Sequence, residues 1–147
     1  MHGWTGEPFG GAKLALIHDG AVIAYRRDEK AGIPFPGYWD LPGGGREGDE
    51  SPDACVIREL HEEFGITLPV PRLIWSRRYP PRLDRDLGSY FFGAIGCAQE
   101  IDRIVFGSEG TCWRMMPIDE FVTRDDAVPR LRGRLAECVA DLRDYLA

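Results

Sequence analysis

The chain has 147 residues, 44% of them hydrophobic, and a formal net charge of −6 at pH 7. This length suits one domain with a substantial core and argues against a second domain. The acidic balance argues against binding to long nucleic acid, because repulsion from its phosphates would have to be overcome locally.

The sequence also bears on location and on redox state. The N-terminus lacks the basic and apolar regions of a signal peptide, and no apolar run reaches the roughly 18–20 residues of a membrane helix. The four cysteines show no CxxC pair and no zinc-like spacing with histidine, which predicts free thiols in a reducing compartment. We therefore expect a cytoplasmic protein that does not bind a membrane.

The beginning of the chain predicts a strand hairpin. Residues 1–11 are rich in glycine and aromatic side chains and are expected to be a loose lead-in to a single domain over residues 12–147. Apolar runs at 13–18 and 21–26 flank Asp19-Gly20, which is a strong turn signal. These two strands should therefore pair antiparallel.

A loop and a short strand then lead to a helix. Residues 27–38 are charged and then rich in glycine and proline, which suits an exposed loop, and residues 39–42 predict a short strand that runs into three glycines. Ser51 is a good N-cap, the next residue is proline, and Gly65 is a good C-terminal stop. These signals predict a helix over residues 52–64.

The second half of the chain alternates strands and helices. Residues 73–79 and 89–97 are predicted to form a hairpin of two strands. Residues 101–106 are predicted to be a further strand or bent edge, and residues 112–116 another strand. Helices are predicted at residues 118–122 and 128–146. This order of elements predicts an α/β fold in which a mixed β-sheet lies between helices.

Three acidic residues of the first predicted helix require a physical reason. Glu59, Glu62 and Glu63 stand at positions i, i+3 and i+4, so their side chains project from one face within about 5–6 Å of each other. Like charges at this spacing destabilise a helix, whereas a hard divalent cation bound by their oxygens would reverse the effect. The face therefore suggests a metal site.

Residues 44–66 carry a resemblance to a known family. They match the pattern Gly-x5-Glu-x7-Arg-Glu-U-x-Glu-Glu-x-Gly-U, in which U is apolar, at Gly44, Glu50, Arg58, Glu59, Leu60, Glu62, Glu63, Gly65 and Ile66. This pattern is the Nudix box, so the chain resembles a Nudix hydrolase of the MutT-like type over about residues 12–122. The resemblance implies an α/β/α sandwich and hydrolysis of a nucleoside diphosphate linked to another moiety, with Mg²⁺ or Mn²⁺ as cofactor.

The resemblance also implies roles for the acidic face. Glu62 and Glu63 would be the principal metal ligands, and the backbone carbonyl of Gly43 would be a further ligand. Glu59 would be either an additional ligand or the base that accepts a proton from the attacking water. Gly44, in the same glycine segment, would lie against the substrate.

Two residues of the box would support this site. The resemblance implies that Arg58 orients Glu59 through a charged hydrogen bond, and the alternative is an ordinary helix ion pair with Glu62 at i+4. Glu50 would support or supplement the site, and the alternative is that it only complements the positive end of the helix dipole.

Candidates outside the box come from the same resemblance. Glu109, which precedes a glycine and a tryptophan-containing strand, would ligate a metal or act as base. Arg27, at the end of the second strand, would contact phosphate, although Arg26 is an alternative because neighbouring strand residues point in opposite directions. A basic stretch could meet phosphates or form a solvated hairpin; it comprises Arg77, Arg78, Arg82 and Arg85.

The substrate is less well defined than the reaction. MutT-type enzymes that remove oxidised guanine nucleotides use an asparagine in a late loop, but this chain contains no asparagine and has Asp125, Asp126 and Ala127 there. We expect a small-molecule nucleotide substrate, such as a nucleoside triphosphate. The alternatives are ADP-ribose, a nucleotide sugar or a dinucleoside polyphosphate, and, in another class, a non-catalytic nucleotide-binding module. Homodimers are common in the family, which leaves a homodimer open here.

Overall fold

The computed structural model describes residue 4, residues 6–82 and residues 86–146. Its strands are β1 (Gly11–His18), β2 (Ala21–Arg26), β3 (Trp39–Asp40), β4 (Gly43–Gly45), β5 (Trp75–Tyr79), β6 (Ser89–Ile95) and β7 (Cys112–Pro117). Its helices are α1 (Pro52–Phe64), α2 (Ala98–Asp102), α3 (Ile118–Thr123), α4 (Pro129–Asp141) and α5 (Arg143–Leu146), and Val70–Arg72 forms a 3-10 turn.

All the strands belong to one mixed sheet that is built around β1. One edge of β1 pairs in parallel with β6 along most of its length, and β5 extends the sheet antiparallel to β6. The other edge of β1 is shared, because β2 pairs with it next to the hairpin turn and β4 pairs with it at the opposite end. β2 continues the sheet through β7 and β3. The predicted antiparallel hairpins of β1 with β2 and of β5 with β6 are confirmed.

Both faces of the sheet are covered by helices. Side chains of β1 alternate between the two faces, so that Leu14 and Leu16 pack with the apolar side of α1, whereas Ala15 and Ile17 pack in a second core that includes α4. The predicted α/β fold with a mixed sheet between helices is confirmed. Within the described residues, no helix is long and apolar enough to cross a membrane, and all four cysteines are free.

Helix α1 begins and ends where its sequence signals predict. The hydroxyl of Ser51 accepts a hydrogen bond from the backbone N–H of Ala54, and Gly65 ends the helix in the left-handed conformation with φ of 71°. Val56, Leu60 and Phe64 on one side of α1 are fully buried. This packing fixes the adjacent, glutamate-bearing side relative to the sheet.

Several segments differ from the sequence prediction. Residues 101–106 do not form a strand: the Glu100 side chain accepts a hydrogen bond from the Cys97 N–H, which starts α2, and the apolar residues that follow pack against the core. The final helix is interrupted at Leu142 and continues as α5. The lead-in is not loose throughout, because Phe9 is fully buried; residues 1–3 and 5 lie outside the described residues.

Candidate active site

The glutamate face of α1 lies against the glycine strand β4. A Cβ atom added to Gly44 would lie 2.8 Å from the Glu59 carboxylate, so the absence of a side chain allows this carboxylate to rest on the backbone. Gly43 has a φ of 130°, and an added Cβ would lie 2.1 Å from the carbonyl oxygen of Ala12. Gly43 and Gly44 are therefore required for β1 and α1 to approach the strand from both sides.

Glu63 is the most buried of the three glutamates of this face. Its side chain is 7% exposed, and Oε1 accepts a hydrogen bond of 2.8 Å from the Gly43 N–H. Burial raises the pKa of Glu63 to about 8, although the charge of Lys13 and the Gly43 hydrogen bond act in the opposite direction. Within the described residues this carboxylate accepts no other hydrogen bond, so its negative charge is poorly compensated.

Arg58 connects the other carboxylates of the box. Its Nη1 donates to Glu59 at 3.1 Å and to Glu62 at 3.0 Å, while Nε and Nη2 bind both oxygens of Glu50 at 2.7 and 3.1 Å. Nη2 also donates to the Gly45 carbonyl at 2.9 Å. Both interactions considered for Arg58, with Glu59 and with Glu62, are therefore present, and Glu50 anchors the guanidinium.

The donor groups have the chemistry that a hard divalent cation requires, although each glutamate is engaged by another partner in this structure. Glu59, Glu62, Glu63 and the Gly43 carbonyl supply the oxygen ligands that Mg²⁺ and Mn²⁺ prefer. In the part of the chain that the structure describes, no three acidic, histidine or cysteine side chains are grouped closely enough to hold a metal ion as they stand. Arg58 engages two of these glutamates and the Gly43 N–H engages the third. A bound cation would compensate the negative charge of the buried Glu63 carboxylate. The residues present therefore fit a divalent cation.

Glu109 lies in an exposed loop that is anchored next to the acidic face. The backbone N–H of Gly107 donates a hydrogen bond of 2.8 Å to the backbone carbonyl of Glu63. The backbone N–H of Thr111 donates one of 2.9 Å to the backbone carbonyl of Arg26. The pKa of Glu59 is raised, first by burial and to a smaller extent by the charges of Glu62 and Glu109. The loop therefore places Glu109 within electrostatic range of Glu59.

A cavity of about 590 Å³ lies beside the acidic face and shares its glycine strand. Gly44 and Gly45 form part of its wall, together with the beginnings of β1 and β6. Of the residues that the structure describes, five cations and one carboxylate line it: Lys13, Arg27, Arg82, Arg130, Arg134 and Asp86. In an acidic chain this local excess of positive charge favours an anionic ligand.

Two of these cations are held by a buried carboxylate. Asp40 is 2% exposed; it pairs with Lys13 Nζ at 3.0 Å and with Arg27 Nη1 at 2.8 Å, and it accepts a hydrogen bond from the Tyr25 hydroxyl. Burial alone would raise the pKa of Asp40, but the charge of Lys13 and the hydrogen bonds from both cations hold it below its ordinary value. Arg26, the alternative to Arg27, instead binds Glu29 and is not part of the cavity wall.

Lys13 also touches the glycine strand. Its Nζ donates to the Gly43 carbonyl at 3.2 Å and to the Leu41 carbonyl at 3.1 Å. The Gly43 carbonyl, expected to be a metal ligand, thus accepts a hydrogen bond from a cation in this structure. Sequence reasoning missed Lys13 and Asp40, because a single lysine at a strand start and a single aspartate before a proline-containing turn carry no distinctive spacing.

The basic stretch that begins in β5 and continues into the following loop does not act as one patch. Arg77 pairs with Glu137 at 2.5 Å and with Asp141 at 3.0 Å on α4, and Arg78 binds the Pro8 carbonyl. Arg82 lines the cavity, and Arg85 lies outside the described residues. Sequence reasoning also missed Arg130 and Arg134; their spacing of four residues on the last predicted helix was the one available signal.

Comparisons with known proteins agree with this geometry. The model of the NUDIX domain family matches residues 10–138. The m7GpppN-mRNA hydrolase NUDT17 of Bos taurus is 36% identical over 91 residues, which cover 58% of this chain and 30% of that protein. Diphosphoinositol polyphosphate phosphohydrolase 3-alpha of Mus musculus is 42% identical over 58 residues, which cover 40% of this chain and 34% of that protein. The chain thus matches about a third of the length of these curated relatives.

Solved structures support the same fold. The crystal structure of the MutT protein from Methanosarcina mazei Go1 superposes with a TM-score of 0.68 at 19% sequence identity, covering 91% of this chain and 95% of that chain. At this identity the similarity concerns the fold alone. Because the family model spans most of the chain, the prediction from the glutamate pattern is confirmed: the chain belongs to the Nudix hydrolase family.

Proposed function

We propose that this protein is a divalent-metal-dependent hydrolase that cleaves a diphosphate linkage by attack of water at phosphorus. The observation that carries the proposal is the position of Gly44, which supports the Glu59 carboxylate and also forms part of the wall of the cationic cavity. A phosphate group that enters the cavity along the glycine strand would therefore meet the carboxylate face at its end.

Each side of the site would make a distinct contribution. We assign Glu62, Glu63 and the Gly43 carbonyl to metal binding, with Glu109 as an additional candidate ligand. The metal, when bound, neutralises phosphate oxygens and lowers the pKa of a bound water. Arg27 and Lys13 line the cavity and would bind non-bridging phosphate oxygens, since a guanidinium can bind phosphate in a bidentate manner.

The proton of the attacking water needs an acceptor within the site. We assign this role to Glu59, because it rests on the cavity wall and is oriented by Arg58, whereas Glu109 is exposed. In the reaction the water oxygen forms a bond to one phosphorus while the bond from that phosphorus to the bridging oxygen breaks. The bridging oxygen leaves with the other phosphate, and the water proton passes to the carboxylate.

The substrate is proposed to be a nucleoside triphosphate or another nucleoside-diphosphate derivative. The named relatives act on mRNA caps and on diphosphoinositol polyphosphates, so they share a diphosphate-type linkage rather than one leaving group. ADP-ribose, nucleotide sugars and dinucleoside polyphosphates remain the alternatives within the same reaction.

A panel of these compounds tests the proposal. Each compound is incubated with the protein and Mg²⁺, products are separated by chromatography, and reactions in ¹⁸O-labelled water show which phosphate takes up the water oxygen. We expect release of a nucleoside monophosphate or sugar phosphate that requires Mg²⁺ and is lost in Glu62→Gln. Binding of compounds without any product across the panel would instead favour a non-catalytic nucleotide-binding module.

A further inference from the structure

Among the described residues, the cations that line the cationic cavity outnumber the carboxylates that can compensate them. Lys13 and Arg27 share Asp40, so they are already partly neutralised. The remaining lining cations are Arg82, Arg130 and Arg134, and the lining carboxylate available to them is Asp86. Asp86 accepts hydrogen bonds from the backbone N–H groups of Arg82 and Gly88, which occupies much of its bonding capacity.

Arg134 is the most unusual of these cations because it is buried without an ion-pair partner among the described residues. It is 8% exposed, its guanidinium lies 4.0 Å from the centre of the Tyr79 ring, and Nη1 donates to the Ser89 hydroxyl at 2.9 Å. Burial and the neighbouring charges of Arg130 and Arg82 lower its pKa. The remaining donors of the guanidinium have no hydrogen-bond partner among the described residues.

The helix that carries these arginines does not compensate them. Arg130 and Arg134 are four residues apart in α4, where like charges repel. The first turn of α4 contains no acidic residue, so the positive end of the helix dipole adds to the charge. Glu137, one turn further along, is already paired with Arg77 at 2.5 Å and with Tyr79 at 2.8 Å.

The sheet determines how far this cluster lies from the glycine strand. Gly45 in β4 pairs with Gly11 in β1, and Gly11 pairs with Ser89 in β6, which holds Arg134. Two strand spacings of about 4.8 Å each separate β4 from β6. A ligand that contacts both the glycine strand and Arg134 must therefore extend about 10 Å, which is more than one diphosphate group spans.

We infer that Arg82, Arg130 and Arg134 form a second anion subsite that binds further phosphate groups on the non-reacting part of the substrate. The inference rests on the proposed function and narrows its substrate class to diphosphates that carry one or more additional phosphates. These phosphates could lie along a linear polyphosphate or around a multiply phosphorylated ring, because both place negative charge at the required distance.

Binding without metal tests the subsite separately from catalysis. In the presence of a chelator, isothermal titration calorimetry should detect inorganic tripolyphosphate, as a linear probe, or inositol hexakisphosphate, as a ring probe, with much higher affinity than orthophosphate. Arg130→Gln and Arg134→Lys should each weaken binding about tenfold, the order of one charge-assisted contact. Arg103→Gln is the matched control, because Arg103 is exposed, outside this cavity and in no ion pair among the described residues.

Turnover then relates the subsite to the reaction. For dinucleoside polyphosphates with identical ends and two to six phosphates, kcat/KM should rise by about 100-fold along the series if two further charge-assisted contacts form. Arg130→Gln should remove about tenfold of this rise, with a smaller effect on kcat/KM for the two-phosphate compound, whereas Arg103→Gln should behave like the wild type throughout.

The outcomes separate the inference from the proposed function. Suppose that substrates are hydrolysed. The subsite is then refuted, and the proposed hydrolase activity stands, if neither probe binds in the presence of chelator. The same conclusion follows if Arg130→Gln and Arg134→Lys change neither probe binding nor the chain-length preference. If both probes bind through these arginines but no compound is hydrolysed, the subsite stands and the proposed function fails. Tighter binding of the linear probe would indicate a substrate with a linear polyphosphate, and tighter binding of the ring probe would indicate a substrate with a multiply phosphorylated ring.

Discussion

The acidic face of α1 and the cationic cavity differ in how their charges are compensated before a ligand arrives. On the acidic face, Glu59 and Glu62 are bound by Arg58 and Glu63 by the Gly43 N–H. In the cavity, cations outnumber carboxylates and one of them, Arg134, is buried without an ion-pair partner among the described residues. If the two regions bind the ligands proposed for them, the acidic face must exchange partners to bind a cation, whereas the cavity is already arranged for anions.

The same comparison suggests an order of events. A preformed cationic cavity can bind phosphate without rearrangement, and this costs less ordering free energy than a site that must be assembled. The acidic face would release Glu59 and Glu62 from Arg58 as metal and substrate bind. Four predictions test this contrast, taken from the largest expected effect to the smallest.

The largest effect is expected at the buried end of the acidic face. Glu63→Gln should reduce kcat by about 10³-fold, because removing a metal ligand loses several kcal/mol of charge stabilisation. The fold should be retained, since glutamine can still accept the Gly43 hydrogen bond. Steady-state kinetics and thermal unfolding measure the two effects, with exposed Asp102→Asn as the control. Near-normal turnover of Glu63→Gln would show that Glu63 is not a metal ligand.

The next effect concerns stability at the cationic side. Asp40→Asn leaves Lys13 and Arg27 without their shared carboxylate and should lower the free energy of unfolding by roughly 3 kcal/mol. Urea unfolding measures this loss, and exposed Asp119→Asn should have little effect.

The effect of Asp40 also depends on pH in a defined direction. Its pKa is lower in the folded state than in the unfolded chain, so its stabilising contribution is present above the unfolded value of about 4 and is lost as pH falls through the folded value. The wild type should therefore lose more stability than Asp40→Asn on acidification below about pH 4. Parallel acid-stability curves for the two proteins would contradict the ion-pair assignment.

An intermediate effect is expected at the residue that holds the acidic face together. Arg58→Lys keeps the charge but cannot contact Glu50, Glu59 and Glu62 together, so kcat should fall roughly 30-fold through misplacement of the carboxylates. As Arg58 is a positioning residue, the Mg²⁺ concentration for half-maximal activity should change as well. If kcat and Mg²⁺ dependence both equal those of the wild type, Arg58 does not organise the site.

The smallest effect distinguishes two neighbouring glycines. Gly44→Ala would place a Cβ atom 2.8 Å from the Glu59 carboxylate, which can move away because it ends a flexible side chain. We expect about a tenfold loss of kcat/KM, equivalent to about 1.4 kcal/mol, with little loss of stability. Gly45→Ala is the matched control, since its Cβ would meet only the Gly10 carbonyl at 4.0 Å. Equal activities of the two variants would show that Gly44 does not position Glu59.

The two regions also differ in how far the sequence predicted them. The acidic face lies within one continuous segment, so fixed spacing on one helix, with Ser51 and Gly65 as its boundaries, was sufficient to predict it. The cavity is assembled from separate parts of the chain, and Lys13, Asp40 and Arg134 have no sequence spacing that relates them to one another. Such sites depend on strand order, here the parallel pairing of β1 with β6, which local patterns do not encode.

Other differences have local causes. The apolar residues of 101–106 suggested a strand, but a capping box at Cys97 and Glu100 favours helix α2, which includes the first two residues of this segment. On the acidic face, by contrast, the two interactions considered for Arg58, with Glu59 and with Glu62, are both present. At residues 97–102 a side-chain interaction determined the outcome, and periodicity alone does not include such interactions.

The contacts of Gly43 restrict how this protein can change during evolution. Its N–H binds Glu63 and its carbonyl binds Lys13, so both charged regions depend on the position of one residue. An added Cβ atom would collide with the backbone of β1, so no substitution of Gly43 can adjust one region without disturbing the other. If the subsite binds substrate as inferred, changes to the side chains of Arg130 and Arg134 on α4 would alter substrate binding and leave the shared backbone of Gly43 in place.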